Sequence, residues 1–422
     1  MERLKTALKC FSNARLRLMV LMVYRLSSIV YRLSSIGYRL SAIVLIGLLL
    51  TSCTGTASDS LPQAQLSAVQ SVGGSGAEGF ARVTAPRPFV FPQDHGPHPQ
   101  YATEWWYYTG NLDTADGRHF GFQLTFFRFG LTPQAITRSS DWATTNIYMA
   151  HFALSDVAGQ KFYAFERFSR GAAGLAGAQG EPFRVWLENW SAVGSGAQAL
   201  PMRLQAAQDD IMIDLTLDGG KPVVLQGDHG LSQKSAAVGN ASYYYSLTRM
   251  PTRGTVRIAA ASYSVSGLSW MDREWSTSAL GDELVGWDWF ALQLSDDREL
   301  MFYRLRRADG SSDAFSSGTL IAADGSTSRI ARDDIQIEPL GSWQSPRDGA
   351  RYPAAWRLRI PTADLDLRLT PYLADQELPL TTSYWEGAVA IAGSAAGTPV
   401  SGNGYVELTG YAEQSRQEVR GR

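Results

Sequence analysis

Apolar and polar side chains alternate with a period of two along much of the chain from Arg87 onwards. In Phe120-Gly121-Phe122-Gln123-Leu124-Thr125-Phe126 the even positions are apolar and the odd ones small or polar. Residues 146–154, 211–217 and 365–369 alternate in the same way. Successive side chains of a strand point to opposite faces, so such runs, bounded by Gly, Asp and Pro, read as half-buried antiparallel strands. No long stretch holds a 3.6-residue period with caps, and the expected fold is all-β. A chain of 422 residues exceeds one ordinary core, which points to two domains. A weak repeat suggests their layout: Glu104-Trp105 and Glu274-Trp275 are each followed, 19 positions after the Glu, by Gln123 and Gln293. Pro251-Thr252-Arg253-Gly254 interrupts the pattern, so the domains are expected at 86–250 and 251–415, with 416–422 as a tail.

Residues 1–52 read as an export signal. A basic region containing three copies of a Tyr-Arg-Leu-Ser heptad precedes the apolar run of residues 42–50. Nine residues are too few to cross a bilayer, whose hydrocarbon core is ~30 Å thick. Leu50-Thr51-Ser52-Cys53 resembles a bacterial lipobox, in which the cysteine is acylated and becomes the first residue. Cys53 is therefore the expected lipidation site. The Ser-, Ala- and Gly-rich residues 53–85 are the expected tether, and Thr54 after the cysteine fits an outer-membrane, periplasm-facing location in a two-membrane cell. Eight of the 38 basic residues and one of the 40 acidic ones precede Cys53, leaving 30 against 39 and a net charge of −9. That balance disfavours nucleic acid as a partner. The only other cysteine is Cys10, so a mature chain beginning at Cys53 has no disulfide and no thiolate metal site.

Asp94-His95-Gly96-Pro97-His98-Pro99 leads into Thr103-Glu104-Trp105-Trp106-Tyr107-Tyr108-Thr109-Gly110-Asn111-Leu112. Together with Ser269-Trp270-Met271-Asp272-Arg273-Glu274-Trp275, Tyr384-Trp385-Glu386-Gly387 and Gly404-Tyr405-Val406-Glu407-Leu408-Thr409-Gly410-Tyr411, this segment resembles the AttH-like family. Its members carry labels such as secreted hydrolase or carotenoid 1,2-hydratase (hydroxyneurosporene synthase). The resemblance implies two lipocalin-like antiparallel β-barrels packed together. It also implies partnership with the permease of an ABC-type exporter.

Three readings of the chemistry follow. The first is a membrane-anchored carrier of a hydrophobic lipid or isoprenoid, lined by Trp105, Trp106, Tyr108, Trp270, Trp275, Trp287 and Trp289. In this case Glu104, Glu274, Glu386 and Glu407 would be structural. The second is a hydratase. Adding water to an isolated double bond needs a carboxyl kept protonated by apolar surroundings and aromatic faces beside the cation that forms. Asp272, Glu274 and Asp288 are the candidate acids, with Asp272 preferred and Trp270 and Trp289 beside the cation; alternatively Arg273 pairs with Glu274 and the tryptophans are core. The third is a hydrolase, although no GxSxG elbow is present and Cys53 would be acylated. A polar cluster of Asp94, His95, His98 and Glu104 has metal-ligand chemistry, but Gly96-Pro97 places a turn between the histidines and no HExxH supports it. No metal and no cofactor is expected. Carboxyls paired with Arg128, Arg273 or Arg304 would favour the carrier, and a carboxyl in an apolar cavity without such a partner the hydratase.

Overall fold

The computed structural model describes residues 78–412, apart from 135, 136, 138, 278–280 and 282. Cys53, the export signal, most of the expected tether and residues 413–422 lie outside the described residues. The fold is antiparallel β throughout, interrupted by three short 3₁₀ turns.

Thirteen strands form the first sheet. They are β1 (Thr103–Asp113), β2 (His119–Gly130), β3 (Asn146–Asp156), β4 (Lys161–Arg170), β5 (Ala176–Gly180), β6 (Phe183–Leu187) and β7 (Trp190–Gly194). They continue with β8 (Met202–Gln208), β9 (Ile211–Leu217), β10 (Val224–Leu225), β11 (Leu231–Gln233), β12 (Ala241–Ile258) and β13 (Ala261–Ser276). The order is β4-β3-β2-β1-β13-β12-β9-β8-β7-β6-β5, with β10 and β11 added to β12. The first strand therefore pairs with the last, and the free edges are the consecutive strands β4 and β5. The sheet curls into a nearly closed barrel.

The second sheet repeats this plan. It begins with β14 (Leu284–Leu294), β15 (Glu299–Arg307), β16 (Ser317–Ile321), β17 (Thr327–Ala331) and β18 (Gln336–Pro339). A separate hairpin, β19 (Ser342–Gln344) and β20 (Arg351–Pro353), follows. The sheet resumes with β21 (Trp356–Ile360), β22 (Leu365–Pro371), β23 (Glu377–Pro379), β24 (Ser383–Ala395) and β25 (Thr398–Leu408). Here β14 pairs with β25, and the free edges are β17 and β18.

Two expectations are corrected. The boundary expected near Met250–Gly254 falls inside β12, and the sheets divide between Ser276 and Leu284. Pro251 is tolerated there because it lies between the part of β12 that pairs with β10 and β11 and the part that pairs with β9, beside a bulge at Leu247/Met250. The Glu-to-Gln repeat does not mark equivalent strands. Glu274 sits on β13, the last strand of the first barrel, directly beside β1, where it faces Trp105.

The interiors of both barrels are filled. Even-numbered residues of β1–β3, such as Trp106, Tyr108, Phe122 and Phe152, point inwards and pack with Trp190 and Leu204. In the second barrel Phe290, Leu292 and Phe302 pack against Trp356 and Leu367. Large aromatic and aliphatic side chains from facing strands close each interior.

The outer faces of β1–β3, β12 and β13 meet the outer faces of β14, β15, β24 and β25. Tyr107, Tyr244, Trp270, Trp289, Ala291, Tyr303 and Tyr405 form one buried apolar layer between the barrels. Gly121 permits a close approach, since a Cβ there would stand 2.5 Å from Cβ of Ala388. Polar contacts close the seam: Gln293 donates to the carbonyls of Thr248 (2.7 Å) and Ser269 (3.1 Å), and Ser155 donates to Gln376 (2.6 Å).

Candidate active site

The seam opens into a cavity with about 1170 Å³ of free space, its mouth included. Strand parity explains its lining. On β1 and β2 the odd positions face outwards, which brings Trp105, Tyr107, Gln123, Thr125, Phe127 and Phe129 to one wall. On β13 the outward positions are Asp272, Glu274 and Ser276, set opposite Tyr107, Trp105 and Thr103 on β1. The second barrel contributes Trp287, Trp289, Tyr303, Tyr384, Glu386 and Glu407. Glu386 and Glu407 are direct cross-strand partners on β24 and β25, and Trp289 lies opposite Glu407. Four carboxyls thus share a largely aromatic cavity, two from each barrel.

Their environments differ. Asp272 is buried and accepts hydrogen bonds from the Ser246 hydroxyl (2.5 Å), the Trp270 indole (2.7 Å) and the Tyr244 hydroxyl. Trp289 donates in turn to the Tyr244 oxygen (3.2 Å). Among the described residues no Arg or Lys makes an ion pair with Asp272. Burial outweighs the three donors and pushes its pKa up to about 7, with Glu274 adding to the rise. Glu274 is paired with Lys234 at 3.2 Å and accepts from Ser242. Burial is opposed by Glu274 at Lys234, which stays protonated with a raised pKa.

Glu386 accepts from the Tyr107 hydroxyl across the seam (2.5 Å) and is also hydrogen-bonded by the Tyr384 hydroxyl. Burial, reinforced by Glu407, holds it well above the usual carboxylate range. Glu407 accepts from the Trp287 indole (3.1 Å), and burial raises it to about 8. Tyr384, next to this pair on the wall, is hydrogen-bonded to His151 of the first barrel (2.8 Å). The cavity therefore holds protonated carboxyls against indole and phenol faces at neutral pH.

The other expected site residues go elsewhere. Asp288 faces the opposite side of β14, where Arg306 (2.9 Å), Arg304 (3.7 Å) and the Tyr411 hydroxyl (3.0 Å) hold it. Although burial raises its pKa, it does not reach the cavity and is not a candidate acid. Trp106 and Tyr108 belong to the first barrel's core, and Trp275 packs with Val83, Tyr243 and Tyr245. Trp270 sits behind Asp272 against Trp289, so only Trp105, Trp287 and Trp289 of the seven expected aromatics form the wall. Arg273 does not pair with the carboxyls of Asp272 and Glu274, because alternate residues of a strand face opposite ways.

Arg273 instead joins the polar cluster. Glu104, fully buried, accepts from Arg128, Arg273 and the backbone N–H of His98 (3.0 Å). Burial is overcome by the two guanidiniums, which hold its pKa far below the usual range. His98 bridges to Asp94 (3.1 Å) and stacks on Trp275 with ring centroids 3.7 Å apart. Asp94, despite burial, is lowered to about 2 by His98 and Arg87. His95 pairs with the Tyr245 hydroxyl (2.6 Å), and burial lowers it to about 4. Every member is engaged in fastening the segment before β1 to the barrel, and among the described residues no group of His, Cys, Asp and Glu has a metal-binding arrangement.

Glu386, Glu407, Tyr107, Tyr244 and Lys234 were not expected in a site. The available signal was a glutamate inside an otherwise apolar strand, as in Tyr384-Trp385-Glu386-Gly387-Ala388-Val389 and Tyr405-Val406-Glu407-Leu408. Such a residue is costly to bury without a role or a partner.

Comparison with known proteins agrees with this architecture. The AttH-like family profile matches residues 82–411. The crystal structure of a candidate AttH from Nitrosomonas europaea superposes on 79% of this chain and 99% of its own, at 34% sequence identity and a TM-score of 0.71. Kievitone hydratase from Nectria haematococca superposes on 79% of this chain and 96% of its own, at 17% identity and a TM-score of 0.59. A search of curated proteins finds none that matches this chain.

Proposed function

The chain belongs to the AttH-like family, and from that premise we propose that it is a hydratase-type enzyme adding water across a carbon–carbon double bond of an elongated apolar substrate. The observation that carries this reading is Asp272, a buried carboxyl with no cationic partner among the described residues, held near pKa 7 inside an aromatic cavity. One fold relative bears the name of a hydratase, which accords with it.

In the proposed reaction Asp272 transfers its proton to the less substituted alkene carbon. A C–H bond forms, the π bond breaks and a tertiary cation develops beside the Trp289 and Tyr107 rings, whose negative faces stabilise it. Water attacks the cation, forming the C–O bond. The proton that water releases returns to the Asp272 carboxylate, so the acid is regenerated. An isoprenoid or polyene with a trisubstituted double bond fits this chemistry and the cavity's largely aromatic lining. Acylation at Cys53 would keep the enzyme at a membrane, where such substrates dissolve. An exporter partner remains a proposal of the family resemblance alone.

The test is incubation with trisubstituted isoprenoid alkenes in ¹⁸O-labelled water. A product retaining one labelled oxygen on carbon supports hydration. Ligand that co-purifies and is never labelled would make the protein a carrier. The pH profile is a second expected outcome. The acid form donates, so kcat/KM should be level below about pH 7 and fall about tenfold per pH unit above it. A rate that rises through this range would assign the catalytic group to a base instead.

A further inference from the structure

The apolar wall of the cavity continues past its mouth. Phe127 and Phe129 stack at 6.3 Å on the wall, and cross-strand pairing extends the same face to Ile147 opposite Phe129 and Phe168 opposite Met149. These side chains emerge into solvent: Ile147 is 37% exposed and Phe168 49%. Immediately beyond the strand ends, Leu131 is 54% and Trp142 58% exposed. Leu131 is tied to this edge by its N–H to the Thr145 carbonyl (2.7 Å), and Trp142 by its carbonyl to Arg170 (3.2 Å), the residue opposite Ile147. Four large apolar side chains concentrated at the rim of a site need a partner.

The chain itself indicates which. Its N-terminal part arrives at this same edge: the Phe80 ring lies where a Cβ on Gly130 would stand 2.7 Å away, and Pro133 lies 3.2 Å from a Cβ built on Gly79. Only residues 54–77 separate this point from Cys53. At ~3.3–3.6 Å per residue those 24 residues span at most roughly 80 Å, so an acyl anchor at Cys53 keeps this face within reach of the bilayer.

We propose that Leu131, Trp142, Ile147 and Phe168 form a docking face for the lipid surface that anchors Cys53, and that apolar substrate passes from the bilayer along Phe129 into the cavity. The proposal rests on the anchored, apolar-substrate reading given above. Attraction to acidic headgroups does not drive it, because the chain from Cys53 onwards carries a net charge of −9. Docking is instead by insertion of Trp, Phe, Leu and Ile at the interface, the mode of shallow aromatic anchors. The partner is a zwitterionic phospholipid surface.

The full chain, processed by a bacterial host and reconstituted on phosphatidylcholine vesicles, provides the test. Bromine on the lipid acyl chains quenches only tryptophan that enters the bilayer. Wild-type fluorescence is expected to fall with brominated lipid, and Trp142→Phe to remove roughly half or more of that fall. Leu131→Ser with Phe168→Ser, which leaves Trp142 in place, should weaken it as well. Equal quenching of wild type and Trp142→Phe, or no bromine effect at all, overturns the proposal. So does a dimer of the vesicle-free chain that these substitutions dissociate, since the face would then belong to a second copy. Labelled-water incorporation into detergent-dispersed alkene is scored separately. A docked chain that does not hydrate fails the hydratase reading alone, and an active chain that is not quenched fails the docking proposal alone.

Discussion

Asp272→Asn is expected to lower the hydration rate by about 10²–10⁴-fold, the range for losing a positioned general acid, while leaving the fold intact. Asparagine keeps the carboxyl's shape and can still accept from Ser246 and Trp270. The stability of the variant supplies the control. An acid raised to about 7 in the folded chain binds a proton there that the unfolded chain has released, so wild-type stability falls as pH rises from about 4 to about 7. Asparagine removes that dependence. The variant should therefore melt no lower than wild type at pH 8 while failing to incorporate labelled oxygen. Retained activity would exclude Asp272 as the acid and pass the role to the Glu386–Glu407 pair.

The largest effect on stability is expected at Glu104. Glu104→Gln leaves Arg128 and Arg273 buried with no carboxylate between them, a change that costs about 3–5 kcal/mol. For a protein of this size the melting temperature should fall by about 5 °C at pH 7. The pH dependence has the opposite sign to that of Asp272. The folded-state pKa of Glu104 is depressed, so its stabilisation is present above the unfolded value near 4.5 and is lost progressively as the solution is acidified below it. Thermal melts of wild type and variant should therefore stay apart from pH 7 down to about 4.5 and converge only as the solution is acidified further, towards pH 2. An unchanged melt at pH 7 would mean that the triad contributes nothing net.

The strands were legible because period-two alternation survives wherever one face of a strand is more polar than the other. The same alternation concealed the site. In Phe120–Phe126 the polar positions Gln123 and Thr125 look solvent-facing in sequence, yet both are buried against the second barrel. A single strand pattern shows which residues share a face and not what covers that face. Asp272 was recognisable as an acid set among indoles. Glu386 and Glu407 were not, because a glutamate in a strand is consistent with a structural ion pair until its surroundings are known. The polar cluster of Asp94, His98 and Glu104 was legible as a cluster, but its partner Arg273 arrives from about 170 residues further along the chain, a distance no local motif encodes. Pro251 misled for a related reason: a proline disqualifies a strand only where its N–H would have been needed.

Each barrel closes by joining its first strand to its last, so the gene divides cleanly at the codons for residues 277–283. Everything that gives the site its second wall, including Trp287, Trp289, Glu386 and Glu407, is encoded after that point, and Tyr107, Tyr244, Asp272 and Glu274 before it. One crossover between two homologous genes would therefore exchange half of the pocket as a block while leaving both barrel interiors whole. The two halves meet at the seam, so an exchanged half keeps the pocket when its Gly121- or Ala388-bearing face fits the other.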